Sequence, residues 1–539
     1  MKYRITCLFF LIHGFYSALG QTAFQRILGG NDDDGFFCVR QTSEGGYILT
    51  GSTQSYGIAN GKDDILLIKT DPDGNVSWIR TYGDSLTENA NCVRQAADSG
   101  YFITGRTLSH GNGSADIFLL RTDKNGSPLF FRTYGGISYE NAQSLAITSD
   151  GGCIIVGGTY SFGAGDQDAL LLKVDSAGIL QWQQTYGASQ FDHATCVLTK
   201  SNGNFLIGGR TTLMGNMDII LFETDPTGDT LWSKLYYAAA YEETYGIAAD
   251  PAGSIVISGT TSSSGAGYGD IIVLKTDSAG NLLDKRTYGG PEAEAAYSIY
   301  ALNDSGFAVA GYTESYHEPL LQHDDRGSDS AHVILLRLNN ALDTLWTSIY
   351  GGPSLDESYS VIQTTDSGFA IAAFQKSYGG DSLKGYFIKT TANGNSNCHQ
   401  ALITPAVGNP SISVFSFPFT ITAGNFTSGL YFPVVGAVIA SDSSICNPTG
   451  FTEPVENKTD ILIYPDPVLE EATIYFPGYA SSPAITYEIY DIFGKKRIGG
   501  QLTGTHTRFS RGHAAAGMYF YRIMSQGRLI KTGKLLMAG

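Results

Sequence analysis

Apolar and polar positions in this chain alternate in short blocks, not at helical spacing, and the same block returns about every 52 residues. One marker is the run Leu66-Leu67-Ile68-Lys69-Thr70-Asp71, which recurs as Leu119 to Asp123, Leu171 to Asp175, Leu221 to Asp225, Val273 to Asp277, Leu335 to Asn339 and Phe387 to Thr391. A second is the Tyr-Gly pair beginning at Tyr82, Tyr134, Tyr186, Tyr288 and Tyr350, with Tyr236-Tyr237 standing in at the fourth unit. The chain therefore carries seven copies of one unit. All four tryptophans, Trp78, Trp182, Trp232 and Trp346, share one column of that unit, and Phe130 holds the column in the second copy. Such a column marks packing.

Each unit reads as four short strands separated by turn residues; in the second unit they span 92–96, 101–105, 117–121 and 129–133. The first and third reversals are tight, as in Ser43-Glu44-Gly45-Gly46 and Asp71-Pro72-Asp73-Gly74. Four strands in such a unit is the arithmetic of a β-propeller blade. The ends of the repeat choose between a closed ring and an open solenoid. Phe24 to Gly29 aligns with Trp78 to Gly83, so a spare fourth strand precedes the first full unit, and after Asn393-Gly394 the seventh unit stops before making its own. The expected fold is all-β: a seven-bladed propeller closed by its N-terminal strand, since closure removes exposed sheet edges.

Composition fits that reading. Glycine fills 66 of 539 positions, and Asp+Glu number 51 against Lys+Arg 34. The net charge of −17 opposes the phosphate neutralisation that nucleic-acid binding needs, which sets nucleic acid aside as a partner. At the start, Lys2 and Arg4 precede a mainly apolar run over 5–12 and then Ala18-Leu19-Gly20, the layout of a signal peptide cleaved before Gln21. No later run reaches the roughly 20 apolar residues of a membrane span. Six cysteines of the mature chain would then meet an oxidising compartment.

Two columns of the repeat carry candidate chemistry. The first is small throughout, Cys38, Cys92, Ser144, Cys196, Gly246, Ser298 and Ser360, and is expected to pack where inner strands crowd. Four residues earlier every unit places an acid: Asp34, Glu88, Glu140, Asp192, Glu242, Glu294 and Asp356. These carboxylates either accept backbone hydrogen bonds that fix the loop entering the inner strand, or ring the channel mouth and attract a cation or basic ligand. The second reversals are longer and vary in length, and they carry Tyr56, His110, Phe162, Tyr268, Tyr316 and Tyr378, aromatic groups suited to stacking on sugars or anchoring a protein. In the sixth unit this loop is the longest, with His317, His323, Asp324, Asp325 and His332 nearby, but no metal-ligand spacing is present. No motif for a cofactor or a catalytic nucleophile occurs either. The expected function is a non-catalytic extracellular binding or adhesion protein using its variable loops, whose ligand, glycan or protein, the residues do not name. The alternative is a glycan hydrolase or lyase drawing a general acid and base from the acidic column.

Past Asn397 the repeat gives way. Residues 398–450 read as a β-rich linker region bracketed by Cys398 and Cys446, a candidate disulfide, and 451–459 as a polar linker. From 460 to 539 short strands alternate with Pro, Gly and Lys turns, as in a small β-sandwich. Tyr464-Pro465-Asp466-Pro467, then Tyr487 to Gly494 with Asp491, then Gly517-Met518-Tyr519, then Gly533-Lys534 follow one another at the C-terminus. Together they resemble the type A sorting domain of type IX secretion. The resemblance implies passage through the periplasm, recognition by the type IX machinery, and display on the cell surface or release. The domains expected are thus 1–20, 21–397, 398–450, 451–459 and 460–539.

Overall fold

The structure is a computed structural model that describes residues 22–57, 61–316, 330–378, 380–417, 419–422, 427–431, 434–437, 441–444, 462–464, 470–475, 485–491, 495–512, 514–525 and 528–537. Seven antiparallel sheets of five strands each lie between residues 24 and 444. Four strands of each come from one repeat; in sheet one they are Asp34–Gln41, Tyr47–Thr53, Asp64–Thr70 and Val76–Gly83. Second and third strands are buried almost throughout, which is why they read as apolar runs and not as alternation: each sheet has a neighbour on both faces. Tight turns close the hairpins. Asp71 Oδ1 accepts the N–H groups of Asp73 and Asn75 at 2.9 and 2.8 Å, and Gly74 takes φ 78°, a left-handed conformation other residues resist.

Neighbouring sheets are stapled by the tyrosine marker. Tyr82 is fully buried, and its hydroxyl donates to the carbonyl of Gly126 in the third reversal of the next sheet. Tyr134, Tyr186, Tyr236, Tyr288 and Tyr350 repeat this toward Gly178, Gly228, Gly280, Leu342 and Gly394, at 2.5–2.7 Å. Between the seventh sheet and the first, Phe24 sits against Gly74, and Arg26 donates to the Asp73 carbonyl and Asn75. Phe36, Val39 and Tyr47 of sheet one share a core with Ile362, Ala370 and Phe387 of sheet seven. Sheets one and seven thus pack against each other.

Phe24–Gly29 pairs with Lys384–Thr390 and so completes the fourth place of sheet seven. It is not the outermost strand, because residues 398–450 do something the sequence did not suggest. Gln400–Ile403 adds to the edge of sheet six, Ala406–Gly408 to sheet five, Ser413–Phe415 to four, Thr420–Thr422 to three, Thr427–Tyr431 to two, Val434–Ala437 to one, and Ser441–Ser444 to Phe24–Gly29 of sheet seven. One segment covers every fourth strand in turn, and each covered edge is one less template for aggregation. Both its ends come to residues 25 and 26: the Cys398 carbonyl accepts from the Gln25 side chain at 2.6 Å, and Ser444 pairs with Arg26. Cys398 is disulfide-bonded. Cys446 lies outside the described residues, as do 1–20 and 451–459.

The first strands begin four residues earlier than the spacing predicts: Glu88–Gln95 in sheet two, not 92 onward. The acid opens the strand instead of lying in a loop before it, because its backbone pairs with the last residue of the second strand, Glu88 opposite Thr107. The small column falls in mid-strand.

Thr449–Gly539 is a separate compact unit. A three-stranded sheet, with Ile474 and Phe509, and a four-stranded sheet, with Ile489 and Ile523, share one core. Asp491 fixes a turn by accepting from the Lys495 N–H at 3.0 Å and the Arg497 guanidinium at 2.7 Å. Tyr464 ends Leu462–Tyr464; Gly517 and Tyr519 lie in Gly517–Ser525, which pairs with the strand of Gly533 and Lys534. Pro465, Asp466, Pro467 and Gly494 lie outside the described residues.

Candidate functional site

The acidic column is buried. Asp34, Glu88, Glu140, Asp192, Glu242, Glu294 and Asp356 are each at most 2 % exposed. Each accepts the backbone N–H four residues before it, from Gly30, Asp84, Gly136, Ala188, Ala238, Gly290 and Gly352, at 2.7–3.1 Å. In five sheets the same carboxylate also accepts a threonine hydroxyl from the end of the second strand: Thr53, Thr107, Thr159, Thr261 and Thr313. Burial pushes Asp192 and Asp356 up to about 6. The column ties the inter-sheet loop to the second reversal, and none of its members lines a cavity described below.

A second acid column lies beside it, at the start of the third strands: Asp64, Asp116, Asp168, Asp218 and Asp270, also at most 2 % exposed. Four of the five share a glycine with the next unit's acid, Tyr237 taking that place beside Asp218; a Cβ at Gly83 would meet both Asp64 and Glu88 within 3.0 Å. Sheets six and seven place His332 and Lys384 there instead. The third-strand marker, read two residues further back, contains this column.

The loop aromatics mostly fold inward. Tyr316 and Tyr378 donate to the carbonyls of Gly289 and Gly351 at 2.8 and 2.9 Å. Tyr56 and Phe162 lie against Gly30 and Gly136, as Tyr316 and Tyr378 lie against Gly290 and Gly352. His110 packs on Phe131 and reaches Asp84 at 3.3 Å. Only Tyr268, 80 % exposed, stands free of its sheet among these six. His317, His323, Asp324 and Asp325 lie outside the described residues; His332 is buried.

What the inner strands do build is a cavity of about 910 Å³. Every first strand carries a β-bulge one residue before the small column, and the bulged residues are Phe37, Asn91, Gln143, Thr195, Tyr245, Tyr297 and Tyr359. All seven line the cavity. A bulge re-aims a side chain out of the ladder, which is how a strand of a packed sheet comes to present one here. The repeats keep the bulge and vary the residue on it. Sheets five, six, seven and one supply an aromatic arc: Tyr245 and Tyr297 centroids are 4.8 Å apart, Tyr297 and Tyr359 stack at 4.7 Å and 13°, and Phe37 meets Tyr359 edge-on at 5.2 Å. Sheets two, three and four supply Asn91, Gln143 and Thr195.

Around that level the wall is polar and held. Arg210 pairs with Glu243, which also accepts the Tyr245 hydroxyl, and Tyr359 donates to Glu357 at 3.0 Å. His193 Nε2 donates to Asn141 Oδ1, 3.2 Å away, and burial draws its ring down to about 3, so it stays neutral. Arg40 and Arg94 lie further along the first and second inner strands, next to the thiols of Cys38 and Cys92. The Cys92 thiol, helped by both guanidinium groups, holds Cys38 well below the usual thiol range against the effect of burial. The cavity reaches the surface at the first reversals of sheets four and five, where Ser201, Pro251 and Gly253 line it. The bulge column escaped the sequence reading because it falls between two invariant-looking columns; its signal is variation from one repeat to the next.

Residues 462–537 match the secretion system C-terminal sorting domain. The chain is therefore exported, to the outer cell surface or as a secreted protein. The regulatory protein FlaEY of Caulobacter vibrioides is 29 % identical over 154 residues, and the match spans 26 % of this chain and 16 % of that protein. Among solved structures, Sqt1 from Chaetomium thermophilum covers 69 % of this chain and 99 % of its own at 12 % identity and a TM-score of 0.40. The extracellular domain of the putative one component system BT4673 of B. thetaiotaomicron covers 96 % and 99 % at 10 % identity and a TM-score of 0.18. Similarities of this size say nothing of ligand or activity.

Proposed function

We propose that the protein is a non-catalytic extracellular binding protein that holds its ligand in the central cavity of a closed, seven-bladed propeller. In this reading the seven sheets are the blades, residues 400–444 form a belt around them, and a Cys398–Cys446 bond clasps the belt where its ends meet. The observation that carries the binding role is the bulge column: seven equivalent positions line one cavity, and their chemistry changes from sheet to sheet, aromatic on one arc and polar on the other. An aromatic arc facing amide and hydroxyl groups suits a saccharide, which has an apolar ring face and polar edges. The loop aromatics support this shift of site, since most of them serve their own sheets. The alternative of a hydrolase loses its candidate acid and base, because the acidic column is buried and committed to backbone N–H groups. The mature full chain screened against an oligosaccharide array tests the reading: saturable binding that Tyr297→Ala abolishes without lowering the melting temperature is expected. Binding that is indifferent to Tyr297, or no binding to any saccharide, sinks it.

A further inference from the structure

Four buried cations of the repeat region are paired with acids: Arg121 with Asp98, Lys173 with Asp150, Arg337 with Asp304, Lys389 with Asp366, each through a hydrogen-bonded contact. Arg40 and Arg94, half-buried in the cavity, have no such partner. Arg40 Nη1 donates to the Val39 carbonyl and, at 3.2 Å, to Ser360 Oγ; Arg94 Nη1 donates to the Val93 carbonyl and to Cys92 Sγ at 2.9 Å. Among the described residues neither guanidinium meets a carboxylate. The nearest charges are each other, the two thiols and the Tyr300 phenol. Even with Cys38 ionised, two positive charges face one negative one, within a protein whose net charge is −17. Sequence position places them beside the tyrosine arc, for Ser360, which Arg40 contacts, adjoins Tyr359. Nothing in the fold requires this pair; the same position on the other inner strands holds Ala146, Leu198, Ala248, Tyr300 and Ile362.

We infer that Arg40 and Arg94 form an anion subsite of the cavity that takes the carboxylate of an acidic saccharide, a hexuronate, while its sugar rings lie on the tyrosine arc. The inference rests on the cavity reading above and adds the ligand's charge. Guanidinium forks match a carboxylate with two parallel hydrogen bonds, and a pair already repelling each other gains from an anion between them.

The test compares an oligomer of galacturonate with the matching neutral galactose oligomer on the full mature chain, by calorimetry at low and high salt. Expected is tighter binding of the acidic oligomer, weakened by salt, with the neutral one salt-independent. Arg94→Gln should cost the acidic oligomer about tenfold or more and leave the neutral one unchanged. The wild-type salt response carries the test even if the variant fails to fold. Equal affinity for the two oligomers, with no salt effect, overturns the anion subsite and leaves the saccharide cavity standing. Binding of neither oligomer overturns both.

Discussion

Asp218→Asn is expected to stabilise the protein above neutral pH and to leave it unchanged in acid. Asp218 opens the third strand of sheet four, is wholly buried, and neither carboxylate oxygen accepts a hydrogen bond of ordinary geometry. Glu242, from the acidic column of the next sheet, lies close by. Burial and then the Glu242 charge push Asp218 up to about 7 from an ordinary value of 3.8, with the nearby Ala238 N–H offsetting part of this. The proton is held more tightly in the folded state than in the unfolded chain. Stability therefore falls as pH rises from about 4 to about 7 and stays reduced above that. The limit set by those two values is about 4 kcal/mol, and relaxation with some water penetration brings the working figure nearer ~2 kcal/mol. Asparagine keeps the shape and removes the charge. Urea unfolding of wild type and Asp218→Asn across this pH range should show curves that coincide in acid and separate by about 2–4 kcal/mol near pH 8. A variant less stable than wild type near pH 8, and more so with added calcium, would refute the reasoning, since the two carboxylates would then be holding a cation. In sheet seven Lys384 opens the third strand beside Asp34 of sheet one, and so shows how the fold places a positive charge in the same position.

Glu140→Ala leaves the Gly136 and Ser161 N–H groups and the Thr159 hydroxyl without their acceptor, and should cost about 3–5 kcal/mol in denaturant unfolding; a loss under 1 kcal/mol would show that water replaces it. Cys398→Ser and Cys446→Ser should lower stability equally, by about 3–4 kcal/mol for a loop of this length, and the double variant no further; unequal losses would mean a different pairing. Removing residues 449–539 should leave the repeat region folded but retained in the periplasm, read by cell fractionation; normal surface display would contradict the role of the sorting domain.

Periodicity made much of this fold legible. Seven recurrences of a buried third strand, and one tyrosine and one tryptophan column, are local signals that survive any change of loop, and the spare Phe24–Gly29 strand is aligned by the same residues. The outer segment was illegible for the opposite reason. Strands of three to five residues such as Ala406–Gly408 carry no period, and they exist because a fourth strand offers an edge, a property of the sheet and not of the segment. The acidic column was visible but its direction was not: one-dimensional spacing cannot tell a carboxylate facing a channel from one turned onto Thr159. The cavity-lining column was hidden by a bulge, which shifts register by one residue and sends Tyr297 to a face that simple alternation assigns to its neighbours. Loop position alone also did not reveal that Tyr316 and Tyr378 donate to the carbonyls of Gly289 and Gly351.

The central claim is that ligand binds in the cavity of the inner strands and not on the outer loops. Affinity for an acidic oligosaccharide, measured side by side for Tyr297→Ala, Tyr359→Ala and the exposed-loop variant Tyr268→Ala, tests it most directly. The account predicts a loss of about tenfold or more for the first two, as for removal of an aromatic stacking partner and its contacts, and no change for Tyr268→Ala. Binding lost with Tyr268 and kept without Tyr297 and Tyr359 would contradict it.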